Sequence, residues 1–181
     1  MTRNEYAKQT RICFLDDRDA VARYVKTHEA DTLQKIITIA DDVVNQSFLF
    51  NLRWDMERTF EPVVFADEID WLHQSSDDIE WVFAFNRMRF WICLGQAYAC
   101  TKDEKYARAF AHQLCDWCGR VKRTDPACAK AWRSIEAGLR MEYWTKAMQY
   151  FLDSPSITEE VIDVFLCSVA EHARFLYSVW D

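Results

Sequence analysis

The chain has 181 residues, of which 50% are hydrophobic and 15% are aromatic, so it can bury a sizeable core and is not a disordered segment. Only three glycines and three prolines occur, which argues against a turn-rich β fold and predicts a helical protein. The formal net charge of −7 argues against non-specific nucleic-acid binding, although arginines within aromatic-rich segments leave room for a local cationic cleft.

Hydrophobic periodicity and capping residues predict six helices with mostly short connections. They cover residues 16–27, 31–46, 78–100, 102–123, 131–153 and 157–180. Thr101 and Ser156 are each followed three residues later by a glutamate, which is a capping-box pattern for the helix that follows. Because short connections make neighbouring helices antiparallel, we expect an all-α fold of antiparallel α-hairpins.

The predicted helix over residues 78–100 is apolar nearly all round, as expected of an inner helix that an outer helix covers. This favours α-hairpins that form part of an (α/α) toroid, with an irregular helical bundle as the alternative. Residues 47–76 show no helical period and hold six aromatic residues, which is too many for a simple linker. Long segments of this kind tend to be functional.

Residues 132–144 combine two arginines and two tryptophans on a strongly helical segment. Arg133, Arg140 and Trp144 stand seven and four residues apart, so we expect them on one helical face. A guanidinium binds a carboxylate or sulfate with two hydrogen bonds, and an indole covers the apolar face of a sugar ring. The segment therefore points to an acidic carbohydrate, although an i,i+4 ion pair from Glu136 to Arg140 and a core tryptophan would also explain it.

Neither the seven cysteines nor the four histidines have the spacing of a disulfide framework or a metal site, so we predict reduced thiols, no metal and no cofactor. Cys115 and Cys118 form a CxxC in mid-helix, which is not the context of a redox or zinc motif. The first 19 residues lack the apolar core of a signal peptide, so we expect a cytoplasmic location. The apolar run over residues 79–100 is interrupted by charges, which indicates a buried helix and no membrane partner.

The last predicted helix ends in an apolar stretch, residues 175–181, without a capping glycine or a polar tail. We expect a further element to cover this flank, or the chain to associate with itself through it. The domain prediction is a single helical domain over residues 1–181, forming the N-terminal part of a longer enzyme. Residues 47–76 are its long, aromatic-rich, non-helical segment.

Several short motifs follow one another in a fixed order along the chain. They are residues 50–57 (FNLRWDME), 69–71 (IDW), 78–81 (DIEW), 85–87 (FNR), 98–106 (YACTKDEKY), Trp117, 132–136 (WRSIE), 138–140 (GLR) and Trp144. In this order they resemble the N-terminal domain of the heparinase II/III-like polysaccharide lyases, a group that includes alginate and heparan lyases. The similarity covers roughly residues 31–180.

The resemblance implies a toroid whose cleft binds a uronate-containing polysaccharide. Such lyases abstract the proton at C5 of the uronate and eliminate the substituent at C4. In the relatives, the neutralising Asn or His, the Tyr acid/base and a further His come after the position that matches Asp181. The resemblance therefore implies no catalytic residue in this chain, and its partners are the acidic polysaccharide and the missing C-terminal part of the same enzyme.

The candidate substrate-binding residues come from the loop, the inner helix and the 132–144 segment. They are Arg53, Trp54, Asp55, Asn86, Arg87, Arg133, Arg140 and Trp144. A core anchor is the alternative for Trp54, and a buried ion pair with Glu80 is the alternative for Arg87. We predict that His172 is a core or packing histidine.

Two other classes of protein remain open. One is a toroid glycoside hydrolase, for which the acidic residues within 67–70 or 77–80 would supply paired carboxylates. The carboxylates within 77–80 are also explained as charges at a helix start. The other class is a non-catalytic helical module that binds a protein or a glycan.

Overall fold

A computed structural model describes residue 5 and residues 17–51, 59–75 and 77–180. The described helices are α1 (Arg18–His28), α2 (Ala30–Val44), α3 (Glu80–Arg87), α4 (Phe90–Thr101), α5 (Glu104–Arg120), α6 (Ser134–Tyr150) and α7 (Glu159–Ser178). A 3-10 helix (Pro126–Trp132) precedes α6, and β1 (Ser47–Phe48) and β2 (Val63–Val64) form a small antiparallel ribbon. The prediction of an all-α fold of packed hairpins is confirmed.

Helix α4 is the central element of the fold. It packs against α1, α2, α5 and α6, and seven of its residues are buried, including Trp91 and Leu94. This confirms that the apolar segment forms an inner helix. Around it, α5 contributes a stripe that steps by four and three residues, with Tyr106, Phe110 and Trp117 all at most 2% exposed.

The predicted helix over residues 78–100 is two helices, because the chain breaks at Met88. This residue has a left-handed backbone (φ 52°, ψ 40°), which costs a non-glycine residue roughly 1–2 kcal/mol. Tertiary contacts hold it there: Met88 is 0% exposed, and its Sδ accepts a hydrogen bond from Trp144 Nε1 at 3.2 Å. Because no glycine or proline marks the break, the sequence pattern does not reveal it.

The predicted capping boxes are shifted by two residues. Asp103, not Thr101, caps α5 by accepting from a first-turn amide at 2.9 Å, and Thr101 is the last residue of α4. Thr158, not Ser156, caps α7. Ser156 instead donates to the carboxylate of Glu104 at 2.7 Å, which ties the turn before α7 to the start of α5.

The predicted helix over residues 131–153 also divides in two. Asp125 caps the 3-10 helix, which ends at Trp132, and α6 begins at Ser134. Between them Arg133 has an extended backbone (φ −69°, ψ 151°). Arg133 therefore precedes α6 and does not share a helical face with Arg140, which lies within that helix.

The described parts of segment 47–76 contain no helix and form the β1–β2 ribbon. Phe48 and Trp71 are each 2% exposed and pack into the core, whereas Phe60 is 93% exposed. The indole of Trp71 also donates to Asp116 of α5 at 2.7 Å. Most of the aromatic residues described in this segment thus fix it to the helices.

Candidate functional site

Arg140, the second arginine of the 132–144 segment, lies in the core with 0% exposure. Its Nε donates to His172 Nε2 at 2.8 Å, and its Nη1 donates to the backbone carbonyls of Asn86 and Ala131, both at 2.9 Å. Those carbonyls lie near the ends of α3 and of the 3-10 helix, where the chain breaks leave acceptors without an intrahelical partner. Arg140 therefore stabilises two helix ends at once.

The charge of Arg140 is stabilised by aromatic rings. Its Cζ lies 4.4 Å from the ring centroid of Trp117 and 5.2 Å from that of Trp132, both within the range of cation–π attraction. Burial lowers the pKa of Arg140 to about 9, so the guanidinium stays charged at neutral pH. Glu136, the expected i,i+4 partner, instead accepts a hydrogen bond from Arg87 Nη2 at 2.8 Å.

His172 is a packing histidine, as predicted. It is 0% exposed, and its ring centroid lies 4.4 Å from that of Trp132. Since its Nε2 accepts from Arg140, the proton belongs on Nδ1, which donates to the Ser168 carbonyl at 2.7 Å. Burial, and then the charge of Arg140, lowers the pKa of His172 to about 3, so the ring is neutral at pH 7.

The structure also places Asn86 and Trp144 in this core, each at 0% exposure. The Asn86 amide donates to two backbone carbonyls at 2.8 and 2.9 Å, and its Oδ1 accepts from Trp117 Nε1 at 2.9 Å. Full burial leaves Asn86, Arg140 and Trp144 no surface for a polysaccharide, so the structure corrects their assignment from substrate contacts to core residues. Arg53, Trp54 and Asp55 lie outside the described residues.

Two predicted arginines do reach the surface together, around a buried carboxylate. Arg87 Nη2 lies 2.8 Å from Glu136 Oε1 and 4.0 Å from Glu80, so the ion pair weighed for Arg87 forms mainly with a different glutamate. Arg133 Nε lies 3.4 Å from Glu136 Oε2. The side chains of Arg133 and Arg87 are 44% and 16% exposed, whereas that of Glu136 is 0% exposed. We call Arg87, Arg133 and Glu136 the paired-arginine site.

An aromatic ring supports this site from one side. The guanidinium carbon of Arg133 lies 3.9 Å from the ring centroid of Phe83, which is 5% exposed. The sequence interpretation missed both Phe83 and the part that Glu136 plays. The i,i+3 spacing of Arg133 and Glu136 was the one available signal, because such residues are neighbours at a helix start.

A surface cavity of about 300 Å³ lies elsewhere, where the start of α1 meets the ends of α4 and α6. Most of the residues that line it are charged, and Lys102 there pairs with Asp153 at 2.8 Å. Within the described parts of the chain, no three His, Cys, Asp or Glu side chains are grouped so that they could hold a metal ion. Burial raises the pKa of Cys118 to about 11, which keeps that thiol protonated at neutral pH.

None of the described helices is long and apolar enough to cross a membrane.

Comparison with known sequences gives a consistent family. The chain matches the family described as Heparinase II/III N-terminus over residues 2–181. A heparin-sulfate lyase of Bacteroides stercoris is 27% identical over 135 residues, which are 65% of this chain and 20% of that protein. A heparin-sulfate lyase of Pedobacter heparinus is 27% identical over 114 residues, 62% of this chain and 17% of that protein. The chain thus spans about a fifth of the length of these relatives.

Solved structures show the same fold. The heparan sulfate lyase HepC from Pedobacter heparinus superposes with a TM-score of 0.72 at 23% identity, over 79% of this chain and 22% of that one. A heparinase III structure gives a TM-score of 0.69 at 24% identity, over 81% of this chain and 25% of that one. The likeness confirms α-hairpins that form part of an (α/α) toroid. Fold and sequence agree, and the chain belongs to the Heparinase II/III N-terminus family.

Proposed function

We propose that this chain is the N-terminal, substrate-binding portion of a polysaccharide lyase that acts by β-elimination on a uronate-containing polysaccharide. The family match over residues 2–181, whose curated relatives are heparin-sulfate lyases, carries this proposal. Because the chain spans only about a fifth of those relatives, the proposed role of this part is binding. The catalytic residues lie outside these 181 residues.

The chemistry of the described residues supports this division. β-Elimination needs a group that neutralises the uronate carboxylate, a base for the C5 proton and an acid for the leaving oxygen. His172 is not available for proton transfer, because both of its ring nitrogens are engaged in the core. An arginine holds its proton too tightly to act as a base near neutral pH, but it can bind and neutralise an anion.

The paired-arginine site is the proposed contact for a carboxylate or sulfate of the polysaccharide. The side chain of Arg133 is 44% exposed, and Arg87 contacts the other oxygen of the same carboxylate. Arg53, Trp54 and Asp55 remain predicted substrate-binding residues. The remainder of the enzyme is the proposed protein partner.

The exposed apolar end of α7 supports an additional contact. Tyr177 and Trp180 are 71% and 88% exposed, which is unusual for large aromatic side chains. A further segment of the enzyme is proposed to cover them, and self-association through them is the alternative.

Product analysis tests the lyase proposal. The source gene is read beyond codon 181, and the polypeptide that it encodes is incubated with heparan sulfate and other uronate polysaccharides. The expected result is ultraviolet absorbance from a new C4–C5 double bond, with none from residues 1–181 alone. Cleavage without that absorbance would indicate a hydrolase, and a stop codon directly after Asp181 would remove the lyase proposal.

A charge-matched pair of variants tests the binding role of the chain. Titration of a heparan sulfate oligosaccharide into Arg133→Gln should show affinity weakened about tenfold, which corresponds to one charge-assisted contact. Arg123→Gln is the control, because Arg123 is 45% exposed and lies 3.7 Å from Glu171. Equal weakening in both variants would mean that only net charge matters, which would argue against a specific site.

A further inference from the structure

Glu136 is an unusual residue for the place it occupies. Its side chain is 0% exposed, yet it makes ion pairs with two arginines that reach the surface. Burying a carboxylate is costly unless its oxygens are fully paired. Here Oε2 accepts no hydrogen bond, and Arg87 Nε, also buried, donates none. Since the pairing is incomplete, a requirement for stability alone does not explain this arrangement.

The geometry of Arg133 shows what the carboxylate achieves. Glu136 Oε2 lies 3.4 Å from Arg133 Nε, and the guanidinium carbon of Arg133 lies 3.9 Å from the ring centroid of Phe83. The other edge of the Arg133 guanidinium, formed by Nη1 and Nη2, makes no hydrogen bond with any residue in the described part of the chain. That edge is the planar fork that binds a carboxylate or sulfate with two parallel hydrogen bonds.

We propose that Glu136 is a positioning residue that orients Arg133, together with Arg87, to bind an oxyanion of the substrate. The proposal rests on the function proposed above, and it adds that a buried negative charge strengthens the binding of an anion. An arginine held in advance loses less side-chain freedom when the ligand arrives, so each hydrogen bond contributes more to affinity. The same chemistry serves a uronate carboxylate and a sulfate ester.

The direction in which one substitution changes the affinity for an anion separates positioning from simple electrostatics. Glu136→Gln removes a negative charge, so charge alone predicts tighter binding of an anion. Positioning predicts the opposite, with affinity for inorganic sulfate weakened up to about fivefold because Arg133 loses its ion-pair partner. Glu80→Gln is the control: it makes the same charge change 4.0 Å from Arg87, on a side chain that is 37% exposed. Its sulfate affinity should stay equal or increase.

Sulfate is titrated into the 181-residue chain while the Nε–Hε resonances of its arginines are followed by NMR. The expected result is a sulfate-dependent shift at Arg133 that weakens in Glu136→Gln and not in Glu80→Gln. Equal or tighter binding by Glu136→Gln would overturn the proposal. Because this readout uses no polysaccharide and no catalysis, a failed lyase assay would leave it unaffected.

A measurement on the wild-type chain decides the matter if Glu136→Gln does not fold. The Nε–H bond of Arg133 should show a higher NMR order parameter than that of Arg123, whose side chain is about as exposed. Arg123 lies 3.7 Å from Glu171, a carboxylate that is itself 42% exposed. Equal order parameters would show that Glu136 does not hold Arg133 and would overturn the proposal.

Discussion

Lowering the pH from 7 to 5 should destabilise this chain through His172. Burial and the charge of Arg140 lower the pKa of the folded-state ring to about 3 from its ordinary 6.5. The folded state therefore binds fewer protons than the unfolded state. The contribution of this pKa difference to the free energy of unfolding is fully present above pH 6.5 and is lost as the pH falls toward 3.

The magnitude follows from the shift. One pKa unit corresponds to about 1.4 kcal/mol, and pH 5 lies about 1.5 units below the unfolded-state value, so the loss at pH 5 is about 2 kcal/mol. The structural cause is direct, because a protonated ring would place a second positive charge 2.8 Å from Arg140 Nε and would remove the acceptor for its N–H.

Urea unfolding at pH 7, 6 and 5 measures this effect. Glutamine at position 172 keeps a polar side chain but does not titrate. Between pH 7 and pH 5 the free energy of unfolding of His172→Gln should therefore fall by about 2 kcal/mol less than that of the wild type. His112→Gln, which replaces an exposed histidine of α5, is the control. The change of its free energy of unfolding with pH should match that of the wild type. If the free energy of unfolding fell equally with pH in the wild type and in His172→Gln, the reasoning would be refuted.

Two helical glycines should respond to alanine in opposite directions. In α4, a Cβ at Gly95 would lie 2.5 Å from Tyr150 Cδ2 and 2.9 Å from Tyr150 Cβ, so Gly95→Ala should lower the free energy of unfolding by about 1–3 kcal/mol, measured in urea. In α6, a Cβ at Gly138 meets nothing within 4 Å, so Gly138→Ala should raise the free energy of unfolding by about 0.5–1 kcal/mol. A stable Gly95→Ala variant would mean that Tyr150 can move away.

Periodicity in the sequence was enough to predict the helices and the central position of α4. It could not predict the break at Met88, because contacts distant in sequence, such as that with Trp144, hold the left-handed residue in place. Periodicity also could not predict the chain break at Arg133. Its expected alignment with Arg140 assumed an unbroken helix from residue 131, and the extended backbone at Arg133 places the two side chains in different surroundings.

The candidate site was predicted only in part, for a related reason. A pattern shows which residues share a face but not whether that face meets solvent or the core. Arg140 is in the core because two chain breaks supply carbonyl acceptors and two indoles supply negative ring faces, and none of these is visible from spacing. Arg87 and Arg133 were identified as candidates by residue type, whereas Glu136, which brings them together, required the fold.

The hydrogen bond between Arg140 and His172 has a consequence for hydrogen exchange. It joins the middle of α7 to the ends of α3 and of the 3-10 helix through one guanidinium, so this turn of α7 cannot open without exposing a buried charge. Amides around Ser168 should therefore exchange only with opening of the whole domain, in step with those of α4. The last turn of α7, which carries the exposed Tyr177, is free of this constraint and should exchange by local fraying.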